Sequence, residues 1–135
     1  MQDRPSAQEL IATISSFLEQ ELLPTISDQR LRFRGLVAAN VLGIVARELA
    51  AGDTPLWAER DRLLNLLDQF EHDPTDSDAL RRSVTALSQE LCIRIRAGEF
   101  DDGAAFEAAL AHAEATSIEK LQIANPRYLA RIQTS

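Results

Sequence analysis

The sequence predicts an all-α fold. Three observations support this prediction: apolar residues recur at three- and four-residue spacing, all five prolines lie between those apolar stretches, and no strand-like alternation persists. The chain has 135 residues, of which 45% are hydrophobic and 26% charged, a composition typical of one globular domain. We therefore expect residues 1–135 to form a single helical domain.

The first helix is predicted to begin at Ser6 and to end near Leu22, before Pro24. The Ser6 hydroxyl can cap this helix while Glu9, three residues later, accepts a hydrogen bond from the Ser6 N–H. An apolar stripe follows at helical spacing, formed by Leu10, Ile14 and Phe17.

The second helix is predicted to begin after Ser27 or Asp28 and to end at Gly52, which suits a left-handed C-terminal position. Its middle is apolar almost all round, which indicates burial, so we expect this helix at the centre of the fold. Small residues recur on it every four positions and would allow another helix to approach closely: Gly35, Ala39 and Gly43.

The third helix opens at Thr54-Pro55, a cap followed by proline at the first helical position, and is expected to end near His72. Its predicted apolar face consists of Leu56, Leu63, Leu67 and Phe70. After a solvent loop at 73–78, the fourth helix is expected to end at Gly98. Its predicted apolar positions are Leu80, Val84, Leu87, Leu91 and Ile95.

An alanine-rich fifth helix is predicted to follow Asp101-Asp102-Gly103. The pattern Thr116-Ser117-Ile118-Glu119 predicts a new helix or a sharp bend, and Asn125-Pro126 opens a final short turn. Four main helices with short connections predict an antiparallel bundle with one or two short C-terminal helices and the second helix in the middle.

Charge and cysteine content exclude several classes of protein. The net charge of −7 opposes binding to phosphate backbones, so we expect no nucleic-acid partner. The single cysteine, Cys92, cannot form an intramolecular disulfide, and the start of the chain has no apolar run typical of a signal peptide. The longest nearly uncharged stretch, 35–46, falls well short of the roughly 20 residues that cross a bilayer. We therefore expect a cytoplasmic protein with no membrane partner.

No catalytic or metal-binding pattern emerges from the sequence, so we expect no cofactor and do not expect an enzyme. Cys92 lies between apolar neighbours in a helix, which indicates helix packing. Asp68 and His72 have the spacing of a ligand pair. Their place in the last turn of the third helix instead favours a structural ion pair.

Three polar residues in the otherwise apolar second helix are the candidate ligand-binding residues: Arg34, Asn40 and Arg47. A buried amide needs hydrogen-bond partners, so Asn40 either ties the helix to a neighbouring backbone or lines a pocket. The two arginines either bind an anionic ligand or pair with the abundant carboxylates.

The stretch 30–49, together with Arg4–Leu10 and Lys120–Leu129, resembles a family of small bacterial helical domains of unknown function. The resemblance depends mainly on Val-Ala-Ala-Asn in the second helix and Ala-Asn-Pro-Arg-Tyr-Leu near the end. Members of that family are often encoded beside aminoglycoside-phosphotransferase-like kinases and acyl-CoA dehydrogenases. The resemblance implies an accessory partner of an enzyme that acts on an acyl-CoA or a phosphorylated hydroxyacyl compound.

Two functions remain open at this point. The first is a non-enzymatic interaction protein that pairs with itself, as a homo-oligomer, or with a kinase-like or acyl-CoA dehydrogenase-like enzyme. Trp57 and Tyr128 are its exposed apolar candidates. The alternative is a binding protein for an anionic acyl or phosphoryl ligand beside the second helix, where Asn40 and Arg34 or Arg47 hold the anion.

Overall fold

A computed structural model describes residues 4–133, and every regular element in that range is helical. Six α-helices follow in order: α1 Ala7–Phe17, α2 Gln29–Ala51, α3 Thr54–Leu67, α4 Ser77–Arg96, α5 Gly103–Ala124 and α6 Pro126–Gln133. A π-helical turn, Leu18–Leu22, and a 3-10 turn, Leu23–Thr25, connect α1 to α2. The predicted all-α class is confirmed, whereas the antiparallel four-helix arrangement stays a prediction.

The backbone contacts divide the described residues into two compact units. The first unit contains residues 4–52 and 123–126, and the second contains residues 53–122 and 127–133. The assignment of residues 1–135 to a single domain stays a prediction.

The helices of the first unit have the caps that the sequence predicts. The Ser6 N–H donates to Glu9 Oε2 at 2.7 Å, and the Glu9 N–H donates to Ser6 Oγ at 3.2 Å. Asp28 caps α2 by accepting from the Leu31 N–H at 2.9 Å. Gly52, with a φ of 57°, ends the helix. These hydrogen bonds join residues within one turn, so local sequence determines both boundaries.

Helix α1 packs on α2 at the small residues. The Ser15 hydroxyl donates to the Ala39 carbonyl at 3.3 Å, and Ala39 is buried. Buried Leu23 lies so close to Gly35 that a Cβ built on this glycine would collide with Leu23 Cδ2. At Gly43, no atom of another helix lies within 4 Å of such a Cβ. The predicted close approach therefore occurs at the first two small residues and is wrong for the third.

The prediction that the second helix is central is also wrong for the described chain. Only Ala39 is buried among the residues of α2, and this helix packs mainly against α1 and the turns at 18–25. Helix α1 and the turns at 18–25 cover one side of α2, whereas Phe33, Val37 and Val41 on the opposite side are exposed.

The hydrophobic core lies in the second unit, where α3 packs on α4. It consists of Leu63, Leu67, Leu80, Val84, Leu87, Leu91 and Phe100. Leu56, Trp57, Ala105 and Ala109 pack against this core and are partly buried. The predicted apolar faces are confirmed here except at Phe70 and Ile95, which are exposed. The prediction that Trp57 is exposed is wrong, because this side chain packs against the core and is partly buried.

Helix α3 ends at Leu67, one turn before the predicted end near His72. Asp68 adopts a left-handed conformation with a φ of 52°, and its N–H donates to the carbonyls of Leu64 and Asn65. Because these bonds close the helix, Phe70 extends from the loop that follows and is 86% exposed.

Helix α5 is continuous, so the predicted break at Thr116-Ser117-Ile118-Glu119 is wrong. The Ser117 hydroxyl donates to the Ala113 carbonyl at 2.7 Å, one turn back, and so does not cap a new helix. Within residues 4–133, no single helix is long and apolar enough to span a membrane. Only α2 and α3 counted together reach the necessary length and composition.

Candidate functional site: the outer face of α2

The three predicted ligand-binding residues do not converge on one site. Arg34 and Asn40 are exposed, so Asn40 is not the buried amide that the sequence indicated. Half-buried Arg47 donates from Nε to the Ile123 carbonyl at 2.6 Å. Thirteen positions separate the two arginines, which is roughly 20 Å along an α-helix. A shallow depression of about 370 Å³ between α1 and α2 includes Arg47 but neither of the other two.

The outer face of α2 is mostly apolar although it lies in solvent, and it also carries exposed Arg34, seven residues before Val41. Phe33 is 66% exposed, Val37 48% and Val41 50%. These residues, with half-buried Ile44, form what we call the outer stripe. Val37 and Val41 each lie two positions from Ala39, which places them about 160° around the helix from the side that packs on α1. Helix α2 therefore has two apolar faces, and only one of them is covered.

A charged residue lies beyond each end of the outer stripe. Arg30 precedes Phe33 and Glu48 follows Ile44, and both are exposed. Neither forms an ion pair with any residue of the described chain. Arg30 and Glu48 are about five helical turns apart, so they project from the same side of α2 as the stripe.

The exposed apolar surface of the first unit extends to α1. The predicted stripe on α1 is solvent-exposed: Leu10 45%, Ile14 51% and Phe17 48%. The buried hydrophobic side chains of this unit are Leu23 and Ala39. Tertiary packing supplies most of the stability of helices in proteins, and this unit buries little hydrophobic core of its own.

The second unit carries an open groove of about 800 Å³ along α4. Its walls are formed by Leu56, Glu59, Arg81, Val84, Thr85, Ser88, Gln89, Cys92, Ile93, Arg96 and Lys120. Buried Glu59 lies 3.8 Å from Lys120 Nζ, and Arg81 forms long ion pairs with Asp53 and Asp78. Arg96 forms no ion pair in the described part of the chain. The groove thus combines an aliphatic wall with a cation available to an anion.

Arg60 of α3 is a buried charge that the sequence analysis missed. It is 1% exposed, and its guanidinium donates to the Glu71 carbonyl at 3.2 Å, the His72 carbonyl at 3.0 Å and Ser83 Oγ at 3.1 Å. The guanidinium also lies 5.7 Å from the centre of the Trp57 ring. A signal was present, because Arg60 occupies an apolar position of the α3 stripe, four residues after Leu56. Its partners are two loop carbonyls, the carboxylates of Glu71 and Asp73 and a serine of α4, which indicates a structural role.

Residues 24–128 match the family described as DUF6285, a domain of unknown function. This chain belongs to that family. The matched residues include α2 with its outer stripe and all of α3, α4 and α5. No curated protein and no solved structure matches the chain.

The family match agrees with the predicted resemblance to a domain of unknown function. It includes the Val-Ala-Ala-Asn motif of α2 and most of the closing motif, and it leaves out the opening motif Arg4–Leu10. The match assigns no chemistry to any residue.

A charged group joins α3 to α5 in the second unit of this family member. Arg62 binds Glu119 through two hydrogen bonds of 2.9 and 2.6 Å, and the pKa of Arg62 is raised by this contact. Burial lowers the pKa of nearby His112, and the positive charge of Arg62 adds to this effect. His112 Nδ1 is buried and has no hydrogen-bond partner among the described residues. A neutral imidazole therefore fits this position.

The remaining candidates from the sequence have no catalytic surroundings. Cys92 is exposed in the groove, so its assignment to helix packing is wrong. Asp68 and His72 do not form the predicted helix-end pair because α3 has already ended. Exposed His72 packs edge-to-face on Phe70. No group of three metal-ligating side chains occurs in residues 4–133.

Proposed function

We propose that this chain is a non-enzymatic interaction protein and that the outer stripe of α2 is its docking surface. The observation that carries the proposal is the exposure of Phe33, Val37 and Val41 on a helix whose opposite face is already packed. A helix that is apolar all round is normally a buried helix.

The exposed apolar area makes docking energetically favourable. Removing a half-exposed valine or phenylalanine side chain from water contributes about 1 kcal/mol. Three such side chains on one stripe therefore supply about 3 kcal/mol, and the aromatic ring of Phe33 is a typical anchor for a partner.

Two classes of partner suit this surface. One is a second copy of the chain. The other is a kinase-like or acyl-CoA dehydrogenase-like enzyme, which the family resemblance suggests. Either partner would place α2 between packed helices, in the central position that its composition indicates.

The test compares Val37→Glu with Leu31→Glu, since Leu31 is 53% exposed but lies about 120° away from Val37 on the helix. We expect the tagged wild-type chain to be recovered with a stoichiometric partner, either itself or another protein. The partner should be lost with Val37→Glu and kept with Leu31→Glu. Circular dichroism and urea melts of both variants report whether folding is preserved.

Two results would contradict this function. The first is a wild-type chain recovered only as a monomer that does not bind an apolar dye, since the stripe would then be covered by the chain itself. The second is equal loss of the partner in both variants, which would show that binding does not depend on the outer stripe.

The groove of the second unit favours a second candidate function, the binding of an anionic acyl or phosphoryl ligand. Arg96 supplies the cation, and Leu56, Val84 and Ile93 supply an apolar wall. The site proposed for this second function lies on α4 and not beside α2, where the sequence analysis expected it. The open shape and the absence of a converging polar set in the described residues make it the weaker candidate.

A further inference from the structure

We propose that the partner on the outer stripe is a second copy of this chain, with the two α2 helices antiparallel about a twofold axis at the level of Ala39. This inference rests on the proposed function, because it names the occupant of the same surface. Three observations support it: the charges of α2 are symmetric about Ala39, its apolar residues are symmetric about the same position, and the first unit has little buried core.

The charges on α2 are self-complementary. Arg30 lies nine positions before Ala39 and Glu48 lies nine positions after it. An antiparallel pair centred on Ala39 therefore brings Arg30 of each copy opposite Glu48 of the other. Since both residues project from one side of α2 and have no ion pair within the described chain, the pairing forms two salt bridges without breaking any. A parallel pair would instead place like charges together.

The apolar residues of the outer stripe follow the same symmetry. Val37 and Val41 lie equally far from Ala39, so Val37 of one copy contacts Val41 of the other across the axis. Phe33 then packs beside Ile44 of the second copy. A twofold interface uses one patch twice, and such a patch must be complementary to itself. The outer stripe satisfies this condition in both charge and apolar content.

Pairing of two copies would bury apolar surface that the first unit leaves exposed. Among the described residues of the first unit, one copy buries only Leu23 and Ala39 as hydrophobic core. In the antiparallel pair the two α2 helices lie between the two copies of α1, so each α2 is covered on both of its apolar faces.

The size of the stripe sets the expected affinity. From Arg30 to Glu48, the stripe is about 27 Å long and about 10 Å wide, as expected for one face of an α-helix. A contact of this size belongs to the small class of interfaces, for which we expect a dissociation constant in the micromolar range.

Sedimentation equilibrium with charge-reversal variants tests the inference. All samples contain a reductant, because exposed Cys92 could otherwise join two chains. We expect the wild type to approach twice its 15.0 kDa mass at concentrations up to about 100 µM. Arg30→Glu alone and Glu48→Arg alone should each weaken association at least tenfold, because each places two pairs of like charges in contact.

Mixing the two variants is the decisive measurement. In a mixed dimer, Glu at position 30 of one chain faces Arg at position 48 of the other, and the remaining pair is native. Association should therefore return to the wild-type level in the mixture and in the double variant. Arg32→Glu is the matched control, since it makes the same charge change on another face of α2 and should leave association unchanged.

Four outcomes overturn the second copy as partner. They are a monomeric wild type at all concentrations, single variants that associate like the wild type, a mixture that stays monomeric, and binding to phosphatidylserine vesicles that Val37→Glu abolishes. If the wild type is monomeric but binds another protein, and Val37→Glu abolishes that binding, the self-association proposal is wrong and the docking function stands. If Val37→Glu changes neither partner recovery nor dye binding, both fail.

Discussion

Replacing Arg60 with methionine tests whether its guanidinium ties the loop after α3 to the second unit. The substitution keeps an unbranched side chain beside the core but removes every donor. The lost bonds are those to the carbonyls of Glu71 and His72, at 3.2 and 3.0 Å, and to Ser83 Oγ at 3.1 Å. We expect Arg60→Met to fold with its helices intact and to be less stable.

The magnitude follows from the burial of each partner. Three hydrogen bonds from a buried donor contribute about 0.5 to 1.5 kcal/mol each in net terms. The Asp73 carboxylate is 83% exposed, so solvent screens its ion pair, which adds less than about 0.5 kcal/mol. The expected loss is about 2 to 4 kcal/mol, a large share of the roughly 5 to 15 kcal/mol that stabilises a typical domain.

Urea unfolding followed by circular dichroism measures this loss. Arg81→Met is the matched control, because the Arg81 side chain is 61% exposed and its ion pairs lie on the surface. We expect the control to change the free energy of unfolding by less than about 0.5 kcal/mol. Amide hydrogen exchange at 71–73 should accelerate in Arg60→Met, because the loop loses its attachment.

A stability of Arg60→Met close to that of the parent, with an unchanged denaturant slope, would refute the reasoning. It would mean that methionine packing in the core compensates fully for the lost hydrogen bonds, as occurs in some proteins when buried ionic groups are replaced.

Two further predictions concern the small residues of α2 and the groove of the second unit. A methyl at position 43 would meet only Arg47 Nη1, at 3.3 Å, and this end of a long side chain can move away. Gly43→Ala should therefore stabilise the chain by up to about 1 kcal/mol through helix propensity. Gly35→Ala should be about 1 to 3 kcal/mol less stable than Gly43→Ala, because its new methyl meets buried Leu23. Urea melts that give equal stability for the two variants would contradict the tight packing at Gly35. Dodecyl phosphate at about 100 times its dissociation constant should stabilise the chain by roughly 2.7 kcal/mol if the groove binds anionic acyl ligands. Arg96→Gln should remove this stabilisation in thermal-shift assays, and equal shifts in both proteins would exclude a role for Arg96.

The candidate site was only partly accessible to sequence reasoning. The apolar circumference of α2 distinguished it from the other helices in the sequence, but the search for polar ligands led to Arg34, Asn40 and Arg47, which the fold does not bring together. Asn40 looked informative because its neighbours are apolar. Its exposure shows that apolar neighbours in sequence do not make a position buried when other elements cover only one side of a helix.

The sequence by itself determined the helical class and where most helices begin, because caps and periodicity act within one or two turns. The Ser6–Glu9 capping box, the Asp28 cap and the Gly52 stop depend only on residues nearby in the chain. The same logic failed at Thr116, where a capping pattern lies inside a continuous helix and Glu119 pairs with distant Arg62. Only the tertiary structure decided that the core lies between α3 and α4, that Arg60 is buried, and that the outer stripe of α2 remains open, because these outcomes depend on which distant elements meet.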